Sequence, residues 1–479
     1  MADAPYAIHD LTAVELGAAY ATGALSPVEV LHAVLAHIAR WEPQLCALWA
    51  CDPDAALAAA QASQARWRKG RALGPLDGVP VTVKENIATR GTAMPLGSAA
   101  SLLQPAAEDA PPAARLREAG AVLLAKTTMP DYGMLSSGLS SFHALTRNPW
   151  DLRLNPGGSS AGAGAAAAAG YGPLHIGTDI GGSVRLPANW CGVVGFKPSA
   201  GRVPIHPPYM GRVAGPLTRT VADCALAMAT LSQPDTRDAT RLPPQALAWT
   251  APPPEPQAFL RGKKIGLLLD AGWGQPCDAD IAAAVQGAAQ RLQAAGAQVE
   301  LLTGWTTREM ADGINLFWRM RCWLDLAALP AERRARALPY LRDWAAAGEH
   351  FSATQVFHGQ AQMAALRDAT AAATERLDFV VSPVAPVSAF AAEAASPTGD
   401  PLRAMEHIAY TLPFNMGGQP AISLPCGHTA AGLPIGLQIS GRLHDDLGVL
   451  RLAQVWELLR GPLHPWPRPP TKEPPRLGV

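Results

Sequence analysis

Short apolar strands alternate with helices along this chain, and that alternation constrains the fold more than any other feature. PAARLREAG at 112–120 reads as a helix feeding the buried strand AVLLA at 121–125. Further on, RGKKIGLLLD (261–270), a helix from Asp278 to Ala295 and QVELL (298–302) give strand, helix, strand again. LDFVVSP (377–383) and the final third give it once more. Strands of this kind bury both faces only when helices cover them, which predicts an α/β fold on a large parallel or mixed sheet. With 479 residues, 48% of them hydrophobic, the chain has enough apolar surface for a large core, as two domains or one layered structure.

Local signals place several elements. Thr12 to Arg40 carries apolar residues at helical spacing, with Ser26 as an N-cap ahead of Pro27 at the first helical position. Residues 53–69 read as another helix, after which GPLDGVPVTVKENI (74–87) turns at Asp77-Gly78 into a short β-branched strand ending at Lys84. Two stretches, 233–257 and 461–479, hold seven prolines each and no sustained period; the first reads as a surface excursion and the second as an extended or frayed tail. Neither separates independent units, so residues 1–460 are expected to form one domain, with a variable helical and aromatic region at about 304–375.

Composition narrows the function classes. Lys plus Arg balances Asp plus Glu at 39 each, so no general field gathers nucleic acid or an anionic membrane surface, and a small neutral substrate fits better. The seven cysteines lack CxxC pairs and metal-finger spacing and read as reduced thiols. The opening MADAPYAIHDLTAVEL lacks a basic n-region and an apolar h-region, and the run AGAGAAAAAG at 161–170 is too short and Gly-rich to span a bilayer. The expectation is a cytoplasmic protein without metal or cofactor, a monomer or homodimer, with no nucleic-acid or membrane partner.

Three segments draw attention for chemistry: VTVKENI around Lys84, NPGGSSAGAG around Ser159 and GTDIGGSVRLPA around Ser183. Each has a plainer reading, as a solvated lysine, a flexible turn and a tight turn respectively. Lys84, however, follows Val81 and Val83 in an alternating, half-buried strand, and burial disfavours its charged form, leaving an amine able to act as a base. Gly181-Gly182 ahead of Ser183 lets backbone N–H groups converge on one point, where each well-placed donor stabilises an oxyanion by roughly 3 to 4 kcal/mol. Asp179 and Arg185 flank that turn and read as an ion pair holding its shape. Gly162, Gly164 and Ala167 match a loose dinucleotide pattern, but Asn155-Pro156-Gly157-Gly158 stands where the preceding strand should be. There is no HExxH or GxxxxGK[ST], so an activated serine needs a base other than a readable histidine, and Lys84 is the candidate.

Taken together, Lys84, GGSS at 157–160 and GTDIGGSVR at 177–185 resemble the amidase signature family. The resemblance extends to GAVLLAKTTMPDYGM (120–134), RNPWD (147–151), CGVVGFKPSAGRVP (191–204), GPLTRTVADC (215–224), PFNMGGQPAISLPCG (413–427) and GLPIGLQISGRLHDD (432–446). It implies a three-layer α/β/α fold around a large mixed sheet and a Ser, cis-Ser, Lys triad. By position, Ser183 is the nucleophile, Ser159, in a cis peptide, relays the proton, and neutral Lys84 accepts it. The N–H groups of Ile180, Gly181, Gly182 and Ser183 match the family's oxyanion hole, and water completes the cycle by hydrolysing an acyl-enzyme. Ala161 and Ala163 stand where Gly and Ser are common, leaving Ser160 and Thr178 as the hydroxyls expected to support Lys84.

The implied activity is hydrolysis of amide, carbamate or related ester bonds in small molecules. In glutamine-using members, including the amidotransferase component that works with transfer RNA, an acidic residue lies seven positions before the Asn of the PFN-like motif; here that position is Ile408, which disfavours glutamine. Gly133 and Met134, from the matched 120–134 stretch, join Ile408 as expected pocket residues. Trp305, Phe317, Trp318, Trp323, Tyr340, Trp344, Phe351 and Phe357 crowd the variable region. They serve helix packing or line an apolar substrate pocket, Trp318 being the pocket candidate.

Overall fold

The computed structural model of the chain describes residues 7–470. Its strands are β1 (Leu48–Trp49), β2 (Pro80–Lys84), β3 (Val122–Thr127), β4 (Leu174–Asp179), β5 (Val194–Lys197), β6 (Val213–Thr218), β7 (Lys264–Leu267), β8 (Gln298–Leu301), β9 (Phe379–Pro383), β10 (Ala421–His428) and β11 (Pro434–Gly441). All belong to one sheet in the order β1-β3-β2-β4-β6-β5-β10-β11-β9-β7-β8. Pairing is parallel for β2 with β3 and β4 and for β7 with β8 and β9, and antiparallel elsewhere, so the sheet is mixed as expected. The hairpin of β10 and β11 sits between the two parallel groups and joins them into one surface.

Capping chemistry sets the opening helices. Thr12 with Glu15 and Ser26 with Glu29 each form a reciprocal capping box, and Pro27 occupies the first turn where no N–H is needed. The helical opening expected from Thr12 to Arg40, with its N-cap at Ser26, is two helices, Ala13–Thr22 and Pro27–Leu45, parted at Gly23 in the left-handed region. The helices expected at 53–69, 112–120 and 278–295 appear as Pro53–Arg68, Pro111–Glu118 and Ala279–Ala294.

Alternation along the strands divides the two faces. Val81 and Val83 of β2, Leu174 and Ile176 of β4, and Leu437 and Ile439 of β11 enter the largest core cluster, with residues of the helices Val221–Leu231 and Asp446–Leu459. Thr82 points the other way and bonds His175 at 2.8 Å. Against this second face lies Ala161–Ala169, a helix buried along its whole length. Its small residues are a packing requirement: a Cβ on Gly162 would fall 2.5 Å from Thr128 N, and one on Gly164 2.8 Å from Pro187 Cβ. That accounts for the glycines of the loose dinucleotide pattern.

The variable region is helical, with Arg308–Ala327, Pro339–Ala346 and Ala353–Thr374 packed into a satellite cluster beside the second face. Residues 233–255 hold no helix or strand, in line with a surface excursion. The tail is likewise without regular structure up to residue 470, yet it is anchored, because Trp466 stacks with Arg219 at 4.5 Å and Arg468 pairs with Asp10 at 2.9 Å; the rest of it lies outside the described residues. Among the described residues no helix is long and apolar enough to cross a membrane.

Candidate active site

The three segments singled out in the sequence meet at the carboxyl ends of β2 and β4, the edge at which open α/β sheets bind ligands. Lys84 is the last residue of β2 and fully buried. Its amine lies 2.8 Å from Ser159 Oγ and 3.1 Å from both Ser160 Oγ and Thr178 Oγ1. Burial pushes the amine well below the ordinary lysine range; the Arg212 charge adds to this, while Asp179 and Glu85 oppose it. Gly177, on the neighbouring strand, makes room for the arrangement, since a Cβ there would sit 2.6 Å from Ser160 Oγ.

Proton counting assigns the three contacts different roles. Ser160 Oγ donates to the Thr178 carbonyl at 3.2 Å, so towards Lys84 it accepts. Thr178 Oγ1 accepts from Asn86 Nδ2 at 3.0 Å and can also accept from Lys84. A neutral amine has two N–H bonds and one lone pair. With the two donors directed at Ser160 and Thr178, the lone pair faces Ser159, the shortest of the three contacts.

Ser159 follows a cis Gly158–Ser159 peptide bond, and its hydroxyl lines a cavity of about 380 Å³ together with Ser183. The Ser160 N–H donates to the Ser183 carbonyl at 3.1 Å and ties the two loops together. Among the described residues a hydrogen bond joins Lys84 to Ser159, but none joins Ser159 Oγ to Ser183 Oγ. Catalytic hydrogen bonds of this sort commonly tighten only with substrate in place.

The turn bearing Ser183 is built on Asp179. Its Oδ1 accepts from the Gly182 N–H at 2.8 Å and its Oδ2 from the Val184 N–H at 3.1 Å. Arg185 grips the same carboxylate through Nε at 3.1 Å and Nη2 at 3.0 Å, and both side chains are fully buried. Asn415 Nδ2 donates to it at 2.8 Å. Burial pushes this carboxyl up, but the Arg185 charge and the hydrogen bonds from Arg185 and Asn415 outweigh that and hold it below the usual carboxylate range. The expected pairing of Asp179 and Arg185 is therefore present as a shape-holding contact. Gly182 is a correction to the expected oxyanion donors, because its N–H is already committed to Asp179. Among the described residues, the N–H groups of Ile180, Gly181 and Ser183 have no acceptor, and all three residues line the cavity.

Gly133, Met134, Trp318 and Ile408 also line this cavity. Gly133 adopts a left-handed conformation (φ 68°), and a Cβ there would lie 3.3 Å from Ser159 Oγ. Of the crowded aromatics Trp318 reaches the cavity, whereas Trp344 and Trp305 bond Asn315 and Thr370 at 3.1 and 3.0 Å inside the helical cluster and Phe357 is exposed. Sequence reasoning missed Asn86, Tyr132, Arg212 and Arg321 on the cavity wall. Asn86 was within reach as the second residue after Lys84; the arginines sit in segments with no local signature.

Residues 29–450 match the family described as Amidase. The chain is 34% identical over 481 residues to a Glutamyl-tRNA(Gln) amidotransferase subunit of Myxococcus xanthus, covering 94% of this chain and 97% of that protein. Its fold is similar to that of a bacterial aryl acylamidase of the amidase signature family, with a TM-score of 0.85 and 30% identity, covering 94% of this chain and 96% of that one. It is also similar to 6-aminohexanoate cyclic dimer hydrolase, with a TM-score of 0.80 and 26% identity over 96% of this chain and 99% of that one. The chain belongs to the amidase signature family, a family of enzymes that act on amide carbon–nitrogen bonds.

Proposed function

We propose that this protein is a free-standing hydrolase of small amides, with Ser183 as nucleophile, Ser159 as proton relay and Lys84 as base. The observation that carries the reading is a fully buried amine held by hydroxyl groups and joined through Ser159 to the cavity that contains Ser183. Ser183 Oγ attacks the carbonyl carbon, its proton passes to Ser159 Oγ, and the Ser159 proton passes to Lys84. The N–H groups of Ile180, Gly181 and Ser183 receive the developing oxyanion. Lys84 then returns the proton through Ser159 to the leaving nitrogen, the C–N bond breaks, and water takes the same route to release the acid.

Trp318, Ile408, Met134 and Tyr132 give one wall of the cavity an apolar, aromatic character that suits aryl or alkyl amides. Similarity in fold to an aryl acylamidase supports this. The second reading, a glutamine amidase working in a transfer RNA-dependent complex, draws on the 34% identity to an amidotransferase component. Against it stands Ile408, whose Cδ1 lies 3.1 Å from the Cβ position of Gly181; a free amino-acid ammonium would meet hydrocarbon there.

The deciding experiment treats the purified protein, without partners, with a fluorophosphonate probe and maps the modified peptide. A panel of anilides, primary amides, carbamates, esters and glutamine follows. Labelling at Ser183, lost in Ser183→Ala, with release of amine from anilides is the expected result. An unmodified Ser183 removes the mechanism, and turnover confined to glutamine in the presence of partner proteins and charged transfer RNA favours the second reading.

A further inference from the structure

The apolar wall leaves two cavity residues unexplained. Arg212 directly precedes β6, and Arg321 lies three residues beyond Trp318 on the helix Arg308–Ala327. Both line the cavity that contains Ser159 and Ser183. Arg212 Nη1 donates to the Pro207 carbonyl at 2.9 Å and Nη2 to the Asn86 carbonyl at 3.5 Å, so neutral groups answer its charge. The Arg321 guanidinium rests 4.4 Å over the Tyr209 ring. Tyr209 and Arg212 share one loop, closed by the Arg212 N–H to the Tyr209 carbonyl at 2.9 Å, so that loop and the helix bring the two cations to one wall.

Among the described residues, neither guanidinium forms an ion pair. The other charged groups on the wall are answered elsewhere: Arg237 pairs with Asp235 at 2.6 Å and Asp109 with Arg117 at 3.0 Å, while Glu108 is largely exposed. Asp325, one turn beyond Arg321, also lines the cavity and feels the Arg321 charge, but it does not come within ion-pair distance of either guanidinium. Burial, reinforced by the Arg321 charge, brings Arg212 down to about 10. Two like charges held beside a cavity, with no carboxylate at ion-pair distance, are costly unless an occupant compensates them. A guanidinium fork matches the planar geometry of a carboxylate.

We propose that Arg212 and Arg321 form an anion subsite, and that the substrate is a small amide bearing a carboxylate in addition to its apolar part. The inference rests on the hydrolase reading of the same cavity and names its substrate class.

Calorimetry on the Ser183→Ala protein separates binding from turnover. The ligands are acetanilide, its 3- and 4-carboxy derivatives, and 4-oxo-4-(phenylamino)butanoate, which moves the carboxylate to the acyl side. At least one carboxylated amide is expected to bind about tenfold more tightly than acetanilide, the effect of one charge-assisted hydrogen-bonded pair. Arg321→Leu and Arg212→Met, each on the Ser183→Ala background, should each shrink that ratio towards one, and raised ionic strength should shrink it without any further substitution. Acetanilide binding as tightly as every carboxylated ligand overturns the subsite, as does a ratio insensitive to both arginine substitutions. Turnover by the wild type reads the hydrolase assignment separately. Cleavage of acetanilide with no carboxylate preference sinks the subsite alone; carboxylate preference in binding with no cleavage of any of the four amides upholds the subsite and sinks the hydrolase reading.

Discussion

Replacing Arg185 with methionine tests whether the turn bearing Ser183 depends on a buried ion pair. The guanidinium holds Asp179 through two bonds, Asn415 Oδ1 at 2.5 Å, the Thr411 carbonyl at 3.0 Å and Gln438 Oε1 at 2.6 Å. Without it, a fully buried carboxylate retains the Gly182 and Val184 N–H groups and Asn415 but loses its counter-charge. Breaking a buried pair from one side costs about 3 to 5 kcal/mol. With a urea slope of about 3 kcal/mol per molar or somewhat more, the unfolding midpoint should fall by roughly 1 M. Tryptophan fluorescence is a convenient readout with 13 tryptophans in the chain.

A second signature comes from Lys197, which burial and the Arg185 charge bring down to about 7. In the wild type the unfolded chain protonates this lysine below about 10.5 and the folded chain does not until about 7, so the unfolded state binds more protons between them and stability rises with pH across that window. Removing Arg185 raises the folded value and lets Lys197 answer Asp179. The destabilisation should therefore be larger at pH 9 than at pH 7. A midpoint within about 0.2 M of wild type at both pH values, on the same slope of about 3 kcal/mol per molar, would refute the reasoning, since it would leave the buried pair contributing almost nothing.

Two further outcomes follow from the site. Because the reactive form of Lys84 is the neutral amine and burial lowers its titration, fluorophosphonate labelling of Ser183 should rise with pH through a value below that of free lysine and then level off; Lys84→Met should remove the rise and slow labelling about 10²- to 10⁴-fold, and an unchanged profile would exclude Lys84 as the base. Gly133→Ala places a Cβ 3.1 Å from Met129 Cε and 3.3 Å from Ser159 Oγ at a left-handed φ, so it should cost about 1 to 2 kcal/mol in urea unfolding and slow labelling of Ser183; a labelling rate equal to wild type would show that Ser159 is not crowded by that wall.

Much of the site was legible before the fold. Val81 and Val83 alternate with Thr82 and Lys84, and a period of two is enough to send the valines into the core and carry the lysine to the strand end. The hydroxyls expected to support the amine, on Ser160 and Thr178, are those that contact it. The Gly182 donor was misread because its N–H direction depends on the Asp179 carboxylate, and that group is held by Asn415, 236 residues away. The tail was misjudged in part for a similar reason, since Trp466 and Arg468 find Arg219 and Asp10 only once the chain ends meet.

By itself the sequence determined the local elements, the alternating strand that carries Lys84, the Gly-rich turns that carry Ser159 and Ser183, and the family likeness joining them. These depend on capping, periodicity and backbone sterics, which act over a few neighbouring residues. Tertiary structure alone decided that the β10–β11 hairpin joins two parallel groups, that Gly182 is bound to Asp179, and that Arg212 and Arg321 share a wall with Ser183. The first and last result from pairing between distant segments, and the Gly182 contact, though local, depends on a carboxylate that Asn415 holds from 236 residues away, so direction and distance, rather than residue type, determine which groups meet.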